Sequence, residues 1–235
     1  ILGPSWFFLQ PILTTITFTI VFGSIAKIPT DGVPPVLFYM AGIVCWGYFA
    51  DCLTRTSSTF VANAHIFGKV YFPRLVSPLS NVISLLLKFG IQMILLTGFL
   101  IYYKLNGANV EPNIYILLTP YLIFLMAGLG LGFGIIVSSL TTKYRDLSFL
   151  VGFGVQLLMY ATPVIYPLSA APEQYRWIIL LNPMTAIIDT FKFAYLGAGE
   201  FNSGNLIYSS VFMVAIMAIG VVIFNRIEKT FMDTV

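Results

Sequence analysis

The sequence predicts an all-α integral membrane protein: six transmembrane helices, a short cytoplasmic helix, and a pair of short re-entrant helices on the outer side. Three observations carry this expectation. First, 58% of the 235 residues are apolar and only 9% are charged, against roughly 45–50% and about 25% in an ordinary soluble domain. Second, mean hydropathy is +0.92, and the apolar residues gather into runs near the ~20 residues that a hydrocarbon core of about 30 Å requires. Third, the breaks between runs hold turn formers and charges, as expected where backbone leaves lipid. Twelve basic and 9 acidic side chains cannot keep a soluble globule of this length dispersed. Disordered, coiled-coil and nucleic-acid-binding classes need far more charge. One transmembrane domain over residues 1–235 is expected.

The first span is expected over residues 6–25, followed by the turn-forming run Lys27-Ile-Pro-Thr-Asp-Gly-Val-Pro-Pro35. The second covers residues 36–60 and is interrupted by Asp51 and Arg55, which stand at i, i+4 and can pair with each other. Cys45 and Cys52 lie seven apart on it, about 10 Å along a helix and beyond disulfide reach, so they are read as packing residues. Residues 57–75 form the cytoplasmic segment. Phe60, Ala64 and Phe67 make an apolar stripe at helical spacing there, ahead of the basic-aromatic turn Lys69-Val-Tyr-Phe-Pro-Arg74. Docking onto a soluble partner and snorkelling along lipid headgroups fit this pattern equally. His65 has no Cys, His or acidic neighbour at ligand spacing, so no metal site is expected.

The third span, residues 76–103, carries Lys88 near its middle, where a charge costs about 2.5–3.5 kcal/mol on insertion scales. Lys88 should face a cavity or an acidic partner; a structural pair and a substrate contact both fit. After Asn106-Gly-Ala-Asn109, the fourth span (114–140) holds Gly128, Gly130, Gly132 and Gly134 in overlapping G-x-x-x-G patterns, read as close helix packing within the chain. Thr142-Lys-Tyr-Arg-Asp146 leads to a fifth span over 149–166. Residues 173–196 then read as two short helices broken at Asn182-Pro183, about 13 and 19 Å long and too short to span. The apolar residues Ile187, Ile188, Phe191, Phe193 and Tyr195 surround the second, which favours a re-entrant pair over an amphipathic hairpin on the membrane surface. The sixth span is expected over 206–224.

Alternating loops place Arg55, Lys69, Arg74, Lys143, Arg145, Arg226 and Lys229 on one side, and Lys27, Lys104, Arg176 and Lys192 on the other. The bias of cytoplasmic loops toward Lys and Arg then puts both termini, residues 55–75 and residues 142–146 inside. The sequence opens at Ile1 rather than at a Met, so a preceding segment is expected; a signal peptide is not recognisable.

No catalytic residue is expected. The sequence has no G-x-x-x-x-G-K-[ST] phosphate loop, no H-E-x-x-H, no G-x-S-x-G and a single histidine, so no cofactor is assigned to this chain and any energy must come from another. Two aromatic stripes occur at helical spacing: Tyr39, Trp46 and Phe49 in the second span, and Phe149, Phe153, Gln156 and Tyr160 in the fifth. Such faces can stack on sugar rings and hydrogen-bond their edges; ordinary helix packing explains either stripe as well.

Four blocks resemble one family, the permease subunits of bacterial ABC polysaccharide exporters for O-antigens, capsules and teichoic acids. They are Ile1-Leu-Gly-Pro-Ser-Trp6 with Leu9-Gln-Pro11; the run from Asn63 to Pro78; Tyr144 to Phe153 followed by Thr162-Pro-Val-Ile-Tyr-Pro167; and Asn182-Pro-Met-Thr185. The resemblance implies a homodimer around a central channel in the bacterial inner membrane, with two copies of a soluble ATPase beneath it that bind ATP and Mg. It implies that the coupling segment, with Asn63, His65, Phe67, Lys69, Tyr71 and Arg74, contacts the ATPase, joined by Tyr144, Arg145 and Asp146. The re-entrant pair would form an outer gate, with Trp177, Asn182, Pro183 and Phe191 as candidates. Candidates for the sugar path are Tyr39, Trp46, Phe49, Lys88, Phe153, Gln156 and Tyr160. The cargo would be a glycan on a polyprenyl diphosphate carrier. Two departures stand out: Lys192 replaces an expected Arg after Phe191, and no amphipathic cytoplasmic helix precedes the first span. An ion-coupled secondary transporter using Lys88 and Asp51, an ABC permease for drugs or lipids, and a membrane enzyme acting on lipid-linked sugars remain alternatives.

Overall fold

A computed structural model describes residues 5–59, 62, 75–141 and 147–232, with the backbone alone at 148 and 227–232. Among the described residues the regular structure is entirely helical, as expected. Helix α1 (Trp6–Phe18) continues into a π-helical stretch, Thr19–Ile25. It is followed by α2 (Pro35–Ser57), α3 (Val76–Leu105), a 3-10 turn (Ile114–Leu118) running into α4 (Thr119–Thr141), and α5 (Leu147–Tyr160). Two short helices, α6 (Glu173–Leu181) and α7 (Pro183–Leu196), are bent by 101° at their junction, and α8 (Ser203–Met232) completes the chain.

Contacts between loops define two ends of the bundle. At one end Ser169 Oγ donates to Asp31 Oδ1 at 2.7 Å, and the backbone N–H of Glu111 donates to Leu196 O at 3.2 Å. This is called the hairpin end below. At the opposite end Thr141 Oγ1 donates to Ser57 O at 3.3 Å and Asn81 Nδ2 to Thr59 Oγ1 at 3.2 Å. Between these ends the described residues pass six times. Five passes use helices long and apolar enough to cross a membrane; the sixth uses α5, which is only 14 residues long. The bent α6–α7 pair lies between Ser169, which meets Asp31, and Leu196, which meets Glu111.

The fifth predicted span therefore needs correction at its C-terminal boundary. It ends as a helix at Tyr160 instead of Tyr166, because Pro163 lacks an N–H and disfavours helical backbone at Thr162 before it. At about 21 Å, α5 is shorter than a hydrocarbon core, and the irregular residues 162–165 that extend it are all buried.

Helices α2, α4 and α8 stack as the centre of the bundle, with α3 and α1 against α2. Glycine sets the spacing. A Cβ on Gly130 would lie 2.6 Å from the Cys52 Cβ, while Gly134 faces the Thr56 side chain, both on α2. Gly128 and Gly132, offset by half a turn, would place a Cβ 2.6 Å from Met213 Sδ and 2.7 Å from Ile216 Cγ2 on α8. The four glycines thus pack two faces of α4 within one chain, as their pattern led us to expect. Cys45 and Cys52 are both buried free thiols. Large apolar side chains on α1, α3 and α8 point out of the bundle, among them Leu13, Leu87, Ile94, Val211 and Val222. A multi-pass membrane protein presents such a surface to lipid.

Candidate functional site

Helix α7 begins at the break that the sequence marks. Pro183 occupies its first turn, and Asn182 caps it by accepting the Met184 N–H at 3.0 Å. Gly197 closes it in a left-handed conformation, φ +74°. Most of α7 is buried within protein, whereas α6 has no buried residue. Backbone carbonyls left without helical donors at the break need partners from their neighbours, and the neighbours are present. The carbonyl of Ile179 accepts Thr185 Oγ1 at 2.6 Å, that of Leu181 accepts Tyr208 Oη at 2.9 Å, and that of Pro183 accepts Ser209 Oγ at 2.7 Å.

The turn that ends α5 is held against the same break. Asn182 Nδ2 donates to Thr162 Oγ1 at 2.7 Å. Lys192, on the buried face of α7, sends its ammonium to Pro163 O at 2.6 Å and Val164 O at 3.2 Å, and lies 3.4 Å from the centroid of the Phe38 ring. Its three donors thus have two carbonyls and a ring face before them. Gly42 on α2 makes room: a Cβ there would approach Val164 O to 2.8 Å. Lys192, grouped from sequence with the outer-side basic residues, is only 1% exposed. Its strongest electrostatic neighbour is the buried carboxylate of Asp189, one turn earlier.

The two aromatic stripes occupy opposite environments. Tyr39, Trp46 and Phe49 are buried inside the single chain, Tyr39 against Phe18 and Phe38, and Trp46 against Phe49. Phe149, Phe153, Gln156 and Tyr160 line an uncovered face of α5, where Phe149 is 81% and Phe153 62% exposed. Among the described residues, the main helix contacts of α5 are with α2 and α4. Of the gate candidates, Phe191 and Pro183 are buried, Asn182 is half-buried, and Trp177 is exposed on α6.

Lys88 pairs with Asp51, its Nζ 2.6 Å from Oδ2, with both side chains largely covered. The contact ties α3 to α2 and replaces the Asp51–Arg55 pairing expected from sequence: the cross-helix partner brings a second mid-span charge to neutrality. The coupling candidates Asn63, His65, Phe67, Lys69, Tyr71, Arg74, Tyr144, Arg145 and Asp146 lie outside the described residues. Among the described residues no group of three or more His, Cys, Asp or Glu side chains is placed to hold a metal.

Sequence reasoning missed the contacts that Lys192, Thr162 and Gly42 make at this turn. A signal was available for the first two. A turn with two prolines inside an apolar segment leaves carbonyls without helical donors, and a lone cation on an apolar helix is a natural donor for them.

Comparison with known proteins gives the chain its place. It is 29% identical over 235 residues to the O-antigen export system permease protein RfbA of Klebsiella pneumoniae, covering 99% of this chain and 87% of that one. With the O-antigen export system permease protein RfbA of Myxococcus xanthus it shares 27% over 194 residues, 81% of this chain and 72% of the relative. With the polysialic acid transport protein KpsM of Escherichia coli it shares 22% over 237 aligned positions, 99% of this chain and 89% of the relative. The model of the ABC-2 type transporter membrane family matches residues 2–196, from the first span through the end of α7, and the chain belongs to that family.

Proposed function

We propose that this chain is the membrane subunit of an ATP-driven exporter that moves a lipid-linked, O-antigen-like polysaccharide from the cytoplasm across the bacterial inner membrane. Two copies enclose the channel, and two copies of a soluble ATPase dock on residues 57–75, with 142–146 beside them. ATP and Mg are held by the ATPase, since this sequence has no phosphate-binding loop. Both termini and these segments face the cytoplasm, on the count of basic residues. The α6–α7 pair is a re-entrant hairpin that gates the channel at its outer end.

The observation that carries this reading is the uncovered face of α5. Phe149, Phe153, Gln156 and Tyr160 stand exposed on a helix whose main described partners are α2 and α4, and the turn that follows it is bonded to the hairpin. Aromatic rings offer stacking surfaces to pyranose faces and the amide offers hydrogen bonds to hydroxyls, without a charge that would hold a moving chain too tightly. The names of the full-length relatives point to the same class of cargo. Tyr39, Trp46 and Phe49 are buried inside the single chain, and Lys88 is occupied by Asp51.

The test is a strain lacking this gene, scored for surface glycan and for lipid-linked glycan retained at the cytoplasmic face. Expression of the chain should restore the surface glycan, and an ATPase should co-purify with it. Glycan transport by the purified chain without an ATPase, or surface glycan unaffected by the deletion, would overturn the proposal.

A further inference from the structure

Helix α5 is bound at one place more firmly than anywhere along its length. Its face is open, its main described helix contacts are with α2 and α4, and its N-terminal end follows directly on residues 142–146. At its other end, Thr162, Pro163, Val164 and Ile165 are buried in irregular backbone. Buried carbonyls without donors are costly, so whatever supplies the donors fixes the turn. Here the donor is Lys192 on α7, assisted by Asn182 at the hairpin break. Two carbonyls and the Phe38 ring lie against the buried Lys192 Nζ and satisfy it in place of water.

We propose that Lys192 and Asn182 fasten the C-terminal turn of α5 to the α6–α7 hairpin, so that displacement of α5 at its 142–146 end is delivered to the hairpin. Lys192 is thus a positioning residue for the gate. It acts through Pro163 and Val164 and touches no cargo. The hydrogen bonds from Tyr208 and Ser209 hold the break on α8, which serves as the pivot. The proposal rests on the transport reading above for its consequence, but the fastening itself can be measured without any cargo.

Both levels are read on the complete complex with its ATPase, in lipid. Lys192→Met removes the charge and all three donors at nearly constant length. Lys192→Arg keeps the charge, the donors and the ability to stack on Phe38. Spin labels at the exposed positions Leu157 on α5 and Tyr175 on α6, in one protomer diluted among unlabelled copies, report whether the two move together. A narrow distance distribution is expected for the Lys192 protein, a broad one for Lys192→Met, and a narrow one again for Lys192→Arg. A distribution unchanged by Lys192→Met overturns the fastening. For function, Lys192→Met should retain ATP hydrolysis while export falls by about tenfold, the scale of a lost coupling contact, and Lys192→Arg should recover at least half of the export. Proportional loss of hydrolysis and export, or unchanged export, overturns the gating role. Thr162→Val removes the acceptor for Asn182 together with the hydroxyl's own bond to Leu158 O within the same turn, and carries the same expectations at smaller size if Lys192→Met fails to insert. Absence of export by the unaltered complex would count against the transport reading and leave the distance result standing.

Discussion

At the level of single residues, two kinds of position answer differently to substitution. Trp46 is packed against Phe49 in the centre of the chain, so Trp46→Ala should act first on folding. A loss of about 3–5 kcal/mol is expected for removing a buried aromatic side chain, visible as a lower melting temperature and yield in detergent; an unchanged melting temperature with reduced export would return Trp46 to the cargo path. Asp51 and Lys88 form the second case. Asp51→Asn alone leaves a mid-span ammonium without its counter-charge, a cost on the order of 2.5–3.5 kcal/mol. The double variant Asp51→Asn/Lys88→Met removes that orphan and should be more stable than Asp51→Asn, as read by unfolding in a double-mutant cycle. Additive effects would show that the pair is not coupled. The presence of a partner for Lys88 was legible from its depth in an apolar run, but the choice of Asp51 over any other group depended on how α3 crosses α2. Spacing along one helix pointed to Arg55 instead.

At the level of elements, apolar run length and proline position located the long helices and the break at Asn182-Pro183, because both follow from backbone hydrogen bonding alone. The end of α5 was harder to place. Thr162 to Tyr166 is as apolar as the helix before it, so composition runs on where Pro163 stops the helix. The two aromatic stripes were indistinguishable in sequence for a related reason: periodicity identifies a face and says nothing about what covers it. The structure covers one stripe and leaves the other open. Removing the open one should therefore spare stability. Phe153→Ala with Tyr160→Ala should lower export severalfold, on the order of the ~1–2 kcal/mol that lost aromatic contacts to a sugar represent, with an unchanged melting temperature and unchanged capture of the ATPase. Undiminished export would exclude the α5 face from the path.

At the level of the whole molecule, the six passes between the two ends of the bundle fix relative sidedness before any membrane is considered. Ser169 meets Asp31 at the hairpin end and Thr141 meets Ser57 at the other, so all segments near the first contact share one compartment and all near the second share the opposite one. The single unknown is which compartment is which. The orientation we propose rests on the basic residues: the segments 55–75, 142–146 and 226–229 carry most of them, and cytoplasmic loops are enriched in Lys and Arg. Two exposed positions separate the alternatives, Ala170 at the hairpin end and Asn225 near the far end of α8. Residues 203–225 of α8 alone extend about 33 Å, enough to cross the hydrocarbon core. A membrane-impermeant maleimide added to spheroplasts should label Ala170→Cys and spare Asn225→Cys, while inverted vesicles should give the reverse; buried Cys45 and Cys52 contribute little background. Labelling of Asn225→Cys from the outside would turn the molecule over and move residues 57–75 away from ATP. Labelling of both positions from one side would mean that the bundle ends do not correspond to the membrane faces, and the gate assignment for α6 and α7 would fall with them.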